Sequence, residues 1–280
     1  MKEHDLIKII KDYTKSEYLG DDCAYLKDLG IVVTQDNFVE NVHFKREWAT
    51  PFQIGYKAAA VNISDILASG AEPKYITIGL SMPDLGEDFV KEFYSGIKAG
   101  SYGAKVIGGD ITGANEIFVS ITAIGSTMGR KISSRKNAKP EYVVISRGKY
   151  GESSKGLQEL IDGKRESEFI KTHLEPKLDV EFSKNIALNI REDYAMMDTS
   201  DGLADALFQM AKASKVTIKT NYIEGMFGAE DYHLAACVPN WKNKEEIIAY
   251  VYPFDGAYLQ IDNKRYSNYD DLGLYNHFER

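Results

Sequence analysis

The sequence predicts an α/β protein of the α+β type, built in two halves. Strand-like and helix-like apolar segments alternate along the whole chain. The alternation breaks once, at the basic stretch Arg130 to Lys139 that runs into Pro140. The 280 residues, 44% apolar and 27% charged, supply one large core or two medium ones. These observations divide the chain into residues 1–138 and 139–280.

Leu6 to Ile10 reads as a short opening helix, followed by a glycine-marked acidic loop at Gly20-Asp21-Asp22. Cys23 to Leu26 and Ile31 to Thr34 read as strands. Pro51 suits a first helical turn, and Phe52 to Ser69 continues with helical periodicity to Gly70, placing Lys57, Val61, Asp65 and Ala68 on one face. Tyr75 to Met82 is a strand and Glu87 to Ser101 a helix. Lys105 to Ile107 is a strand running into Gly108-Gly109-Asp110, and Ile117 to Met128 is a long alternating strand. In the second half, Tyr142 to Ser146, Tyr194 to Asp198, Lys215 to Thr220, His233 to Val238 and Ala257 to Ile261 read as strands. Ser154 to Ile161, Asp179 to Ile190, Leu203 to Ala213 and Lys244 to Tyr250 read as helices.

Composition narrows the function. Lys plus Arg total 34 and Asp plus Glu 42, so the net charge of −8 argues against general affinity for nucleic acid or anionic lipid. Two cysteines, Cys23 and Cys237, are too few for a disulfide framework or a four-thiolate zinc site and suit a reducing compartment. The charged start MKEHDLIKII lacks a signal peptide's apolar stretch, and no run approaches the length of a membrane span. The expectation is a soluble cytoplasmic protein.

The chemistry lies in a recurrence. Asp22, Asp36, Asp65, Asp110, Asp198 and Asp201 each fall at or beside the end of an apolar segment. One such residue is ordinarily a cap or turn former. Six can be gathered where strand ends converge, and carboxylates brought together repel unless hard cations lie between them, so magnesium is expected. Gly108-Gly109 would let a phosphate approach the backbone, although neither the Walker nor the dinucleotide pattern is present.

In order along the chain stand Gly20-Asp-Asp22-Cys-Ala, Thr34-Gln-Asp36, Val42-His43-Phe44, the block from Tyr56 through Asn62-Ile-Ser-Asp65 to Pro73, Gly108-Gly-Asp110-Ile-Thr112, Asp198-Thr-Ser-Asp201-Gly-Leu203 and Gly228-Ala-Glu-Asp-Tyr232. Together they resemble the thiamine-monophosphate kinases, of the superfamily that includes aminoimidazole ribonucleotide synthase. The resemblance implies two α/β domains, with the N-terminal domains of two chains pairing into a β-barrel across a homodimer. It implies transfer of the γ-phosphoryl group of ATP to thiamine monophosphate, giving thiamine diphosphate and ADP. Asp22, Thr34, Gln35, Asp36, Asp65, Asp110, Asp198 and Asp201 would then surround several Mg²⁺ ions, Gln35 through its backbone carbonyl. Tyr94, Gly109, Asp110, Arg135 and Ser200 would contact ATP. His43, Glu230 and Tyr275 would face the thiamine phosphate, and no protein nucleophile is implied. Two departures, Ala229 for glycine and His233 for an acid, fall beside the expected thiamine pocket.

Two other readings compete. A sibling ATP-dependent activity, such as that of aminoimidazole ribonucleotide synthase, would use the same cleft. A divalent-metal phosphate-ester hydrolase would also gather carboxylates, but such sites usually recruit histidines, of which the chain has five.

Overall fold

The computed structural model describes residues 3–274, with side chains from residue 5 onward. Tyr275 lies outside the described residues. Helix α1 (Glu3–Thr14) is followed by strands β1 (Ala24–Leu26) and β2 (Ile31–Val39), helix α2 (Pro51–Ala68), strand β3 (Glu72–Met82), helix α3 (Gly86–Gly100), and strands β4 (Lys105–Gly113) and β5 (Phe118–Ser126). The five strands form one sheet in the order β1-β2-β5-β3-β4, antiparallel except for β3 against β4. That parallel pair requires a crossover, which α3 supplies.

The second sheet takes β6 (Val143–Ser146), β7 (Ala195–Asp198), β8 (Val216–Thr220), β9 (Leu234–Val238), β10 (Ile247–Pro253), β11 (Leu259–Ile261) and β12 (Lys264–Tyr266). Its order is β12-β11-β8-β10-β6-β9-β7. Helices α4 (Glu152–Ile161), α5 (Glu168–Leu174), α6 (Val180–Asn189) and α7 (Leu203–Ser214) complete this half. No helix among the described residues is long and apolar enough to cross a membrane.

Helix α2 is the structural hinge-pin of the site. It starts on a capping box, in which Gln53 N–H donates to Thr50 Oγ1 and Thr50 N–H donates to Gln53 Oε1, with Pro51 as its first residue. It ends at Gly70, whose φ of 84° suits glycine and where a Cβ would fall 2.3 Å from Tyr194 Oη. Between these ends it is buried on almost every side, against the first sheet, α3, and β7 of the second sheet. The apolar core accordingly continues from Val32, Ile63 and Ile121 to Ile145, Met196 and Leu234. Alternate residues of the same strands, Val144, Ala195, Met197 and Ala235, face the opposite way into a second core built on α7.

Several expectations change. Lys244 to Tyr250 is not a helix: a short 3₁₀ turn (Lys244–Glu246) leads into β10. Ile247 to Tyr252 is rich in β-branched and aromatic residues, and β10 inserts between β8 and β6 with Ala249 and Val251 buried while Tyr250 and Tyr252 are exposed. Helix α5 was not foreseen. Strand β2 runs on to Val39 and so carries Gln35 and Asp36 within it. Strand β4 runs through Gly108 and Gly109 to Gly113, so the glycine pair is no phosphate-cradling turn. A Cβ at Gly109 would meet the Ile78 carbonyl oxygen at 2.0 Å, and the pair permits a bulged, close approach to β3.

Candidate active site

Four chain segments deliver carboxylates to one place. Asp22 comes from the loop before β1, Asp36 from β2, Asp65 from the last turns of α2, and Asp198 from the end of β7. Oxygens of Asp22, Asp65 and Asp198 all lie within 4.8 Å of one another. The polar residues of α2 explain how. Asn62 accepts from the Asp36 N–H through Oδ1 at 3.0 Å, Ser64 Oγ donates to Asp198 Oδ2 at 2.6 Å, and Thr34 Oγ1 donates to Asp65 Oδ2 at 2.6 Å. The Asn62-Ile-Ser-Asp65 segment is thus a bracket: one buried helix anchors aspartates from both sheets.

Crowding and burial push these acids up. Asp65 is raised well above the ordinary carboxylate range by burial and by Asp36, Asp198 and Asp22. Asp198 is pushed up to about 7 by burial and Asp22, against hydrogen bonds from Ser64 and Ser200. Asp36 is pushed up to about 6 by burial, Asp22 and Asp201. Hard oxygen donors whose negative charges oppose one another fit a divalent cation.

A cationic group borders the cluster. Arg135 donates to Asp22 Oδ1 at 2.6 Å, while its buried Nε has no hydrogen-bond partner among the described residues. Asp21 orients that segment by accepting from Ser134 Oγ and the Arg135 N–H. Ser200 donates to Asp198 Oδ1 from both Oγ, at 2.9 Å, and its backbone N–H.

The cluster opens into a cavity of about 650 Å³. Asp36, Asp65, Asp198, Ser200 and Asp201 line one part of it, and His43, Trp48, His173, Phe227 and Glu230 another. His43 is held by the loop after β2, where Glu40 braces the turn by accepting from the Ile117 N–H and Arg46 Nε. The Val39 N–H donates to His43 Nδ1 at 3.0 Å, so the neutral imidazole carries its proton on Nε2. Glu230 adopts a φ of 65° and donates its N–H to Ser200 O at 2.6 Å, tying the two ends of the cavity together. Burial works to raise Glu230, but Lys57 outweighs it and holds the carboxyl below its ordinary value.

The remaining expected residues lie elsewhere. Gln35 alternates to the other face of β2, accepting from Thr122 Oγ1 at 2.9 Å, so its side chain leaves the cluster. Tyr94 packs edge-on to Phe93 and does not line the cavity. Gly109 and Asp110 lie on the exposed edge strand β4. Asp110 registers with Gly79, Gly79 with Ser120, and Ser120 with Asn37, so three strand spacings, about 14 Å, separate it from β2 beside Asp36. One chain therefore does not bring Asp110 to the cluster. Sequence reasoning missed the roles of Asn62, Ser64, Lys57 and His173. Polar residues inside the otherwise apolar run of α2 were the available signal for the first three, whereas His173 sits on the unforeseen α5.

An aspartate cluster between two α/β sheets, opening into a mixed polar and aromatic cavity, places the chain among proteins of the AIR synthase-like fold. Residues 20–127 match the family described as AIR synthase related protein, N-terminal domain. The thiamine-monophosphate kinase of Bacillus subtilis is 35% identical over 261 residues, covering 86% of this chain and 79% of the relative. That of Aquifex aeolicus is 33% identical, covering 83% and 84%. The chain belongs to the thiamine-monophosphate kinase family. Among solved structures, AaThiL complexed with AMPPCP and TMP superposes with a TM-score of 0.87 at 29% identity, covering 99% of this chain and 97% of that one.

Proposed function

We propose that this protein transfers the γ-phosphoryl group of ATP to the phosphate of thiamine monophosphate, forming thiamine diphosphate and ADP. The observation that carries this reading is the single cavity that joins the aspartate cluster to His43 and Glu230. Donor and acceptor phosphates are both anionic, so the barrier is largely electrostatic and the site needs alignment and positive charge rather than a nucleophile. Asp22, Asp36, Asp65 and Asp198 would hold magnesium, with Thr34 and Asp201 beside them. Magnesium held there would supply positive charge to offset the negative charge of the phosphate groups. Arg135, whose Nε lacks a partner among the described residues, would turn from Asp22 toward the triphosphate, and Ser200 would contact it. His43 Nε2–H would donate to the acceptor phosphate and align it.

We assign dimerisation and most of the nucleotide and metal binding to residues 1–138, with Asp198, Ser200 and Asp201 reaching into the site from residues 139–280. All nine residues of β4 are exposed, Val106, Ile107 and Ile111 at 46%, 55% and 63%. A homodimer through this edge would cover them and let the second copy contribute Gly109 and Asp110, which one chain holds away from its own cluster. A cytoplasmic setting suits the two buried free thiols, Cys23 and Cys237.

Incubation of the purified protein with ATP, magnesium and thiamine monophosphate, with thiamine diphosphate and ADP quantified, tests the reading. Equimolar products that disappear on chelation are expected. ATP consumption with no thiamine diphosphate would transfer the cleft to a sibling activity, and release of inorganic phosphate from thiamine monophosphate without ATP would favour the hydrolase.

A further inference from the structure

A lysine buried in a helix interior is costly unless its charge has work to do, and methionine would fill the same volume without that penalty. Lys57 is 1% exposed in the middle of α2. Its Nζ lies 3.2 Å from Glu230 Oε1 and has no other polar partner among the described residues. On the other carboxylate oxygen, His173 Nδ1 of α5 stands 3.4 Å from Glu230 Oε2 and 3.0 Å from Ser153 Oγ. Glu230 and His173 line the cavity, whereas Lys57 stands behind them.

We propose that Lys57 is a positioning residue which, with His173 as a second brace, clamps the Glu230 carboxylate on the cavity wall as a fixed hydrogen-bond acceptor for the amino-bearing ring of the acceptor substrate. The proposal rests on the kinase reading above. The lysine–glutamate pair is neutral overall, so it offers the substrate oriented lone pairs rather than net negative charge. Burial and Lys57 push His173 down to about 3, so its ring is neutral and Lys57 supplies the cation. Burial likewise lowers Lys57, and Glu230 opposes that shift. The charged or titratable groups facing Glu230 are Lys57 from α2, His173 from α5, His43 from the loop after β2 and Tyr232 of its own segment.

The test is steady-state kinetics on the full chain as wild type, Lys57→Met, Glu230→Gln and the double variant, varying thiamine monophosphate and ATP separately. Lys57→Met should raise the KM for thiamine monophosphate about ten-fold or more while the KM for ATP stays within about two-fold. The double variant should be no worse than Glu230→Gln alone, because the lysine acts only through that carboxylate. In Lys57→Met the acceptor KM should also climb more steeply than the wild-type value as pH falls, since a buried carboxylate that has lost its cation is easier to protonate. If Lys57→Met does not fold, Lys57→Gln takes its place in the same measurements. Additive losses in the double variant, an unchanged acceptor KM in Glu230→Gln, or equal rises for both substrates would overturn the proposal while wild-type turnover leaves the kinase reading standing. A wild type that makes no thiamine diphosphate would overturn both.

Discussion

Replacing Asp198 by asparagine should make the metal-free protein more stable and the enzyme inactive. In the absence of metal the carboxyl is displaced from 3.8 to about 7, chiefly by burial and then by Asp22. A raised carboxyl means that the folded state binds more protons than the unfolded one between those two values. Stability is therefore lost as pH rises through that window and stays low above it. Displacement from 3.8 to about 7 corresponds to about 4 kcal/mol. Asparagine removes this charge penalty. It keeps an oxygen to accept from Ser200 but sacrifices one charged acceptor, most costly toward Ser64, whose bond is 2.6 Å long. That loss is about 2 kcal/mol, leaving a net gain of about 2 kcal/mol, or about 4 °C in Tm for a chain of this size. Calorimetry or fluorescence melts in chelator at pH 8 should show the increase, and at pH 5, where the wild-type acid is already protonated, it should largely vanish. Magnesium should then raise the wild-type Tm more than that of the variant, and turnover should fall about 100-fold or more. A variant less stable than wild type at pH 8 in chelator would refute the electrostatic argument, and one that keeps over half the wild-type rate would refute the ligand role.

Arg135→Gln should raise the KM for ATP about ten-fold while changing that for thiamine monophosphate little, because it removes the planar cation beside the cluster; steady-state titration of each substrate decides it. If two copies pair through β4 as proposed, light scattering at micromolar concentration should give a dimer for the wild type and a monomer for Ile111→Asp, which places a charge on the exposed edge strand, with turnover lost alongside if Asp110 is supplied by the second copy. Gly96→Ala should cost about 3 kcal/mol in urea unfolding, since its Cβ would lie 1.9 Å from the Phe52 carbonyl oxygen and force α2 and α3 apart.

What the sequence by itself determined is short-ranged. Helical periodicity, Pro51 and Gly70 delimit α2, alternation marks β5, and the Asn62 to Pro73 and Asp198 to Leu203 blocks mark the acidic centre. The element bounds are set by contacts within a few residues, and the acidic blocks are short contiguous motifs, so a local pattern records both. Tertiary structure decided the rest. Asp22, Asp65 and Asp198 converge across 176 residues of chain because α2 lies between two sheets, while Asp110, similar to them in sequence context, is carried away by its place at the sheet edge. Lys57 stands out in sequence only as a polar residue in an apolar run, and its partner is set when the fold closes α5 and the segment bearing Glu230 over it. Lys244 to Tyr250 could satisfy a helix or a strand locally, and the place between β6 and β8 settled it, because only an extended backbone satisfies hydrogen bonds on both sides there. Partners distant along the chain leave no periodic trace, and burial and charge pairing exist only once the chain has folded.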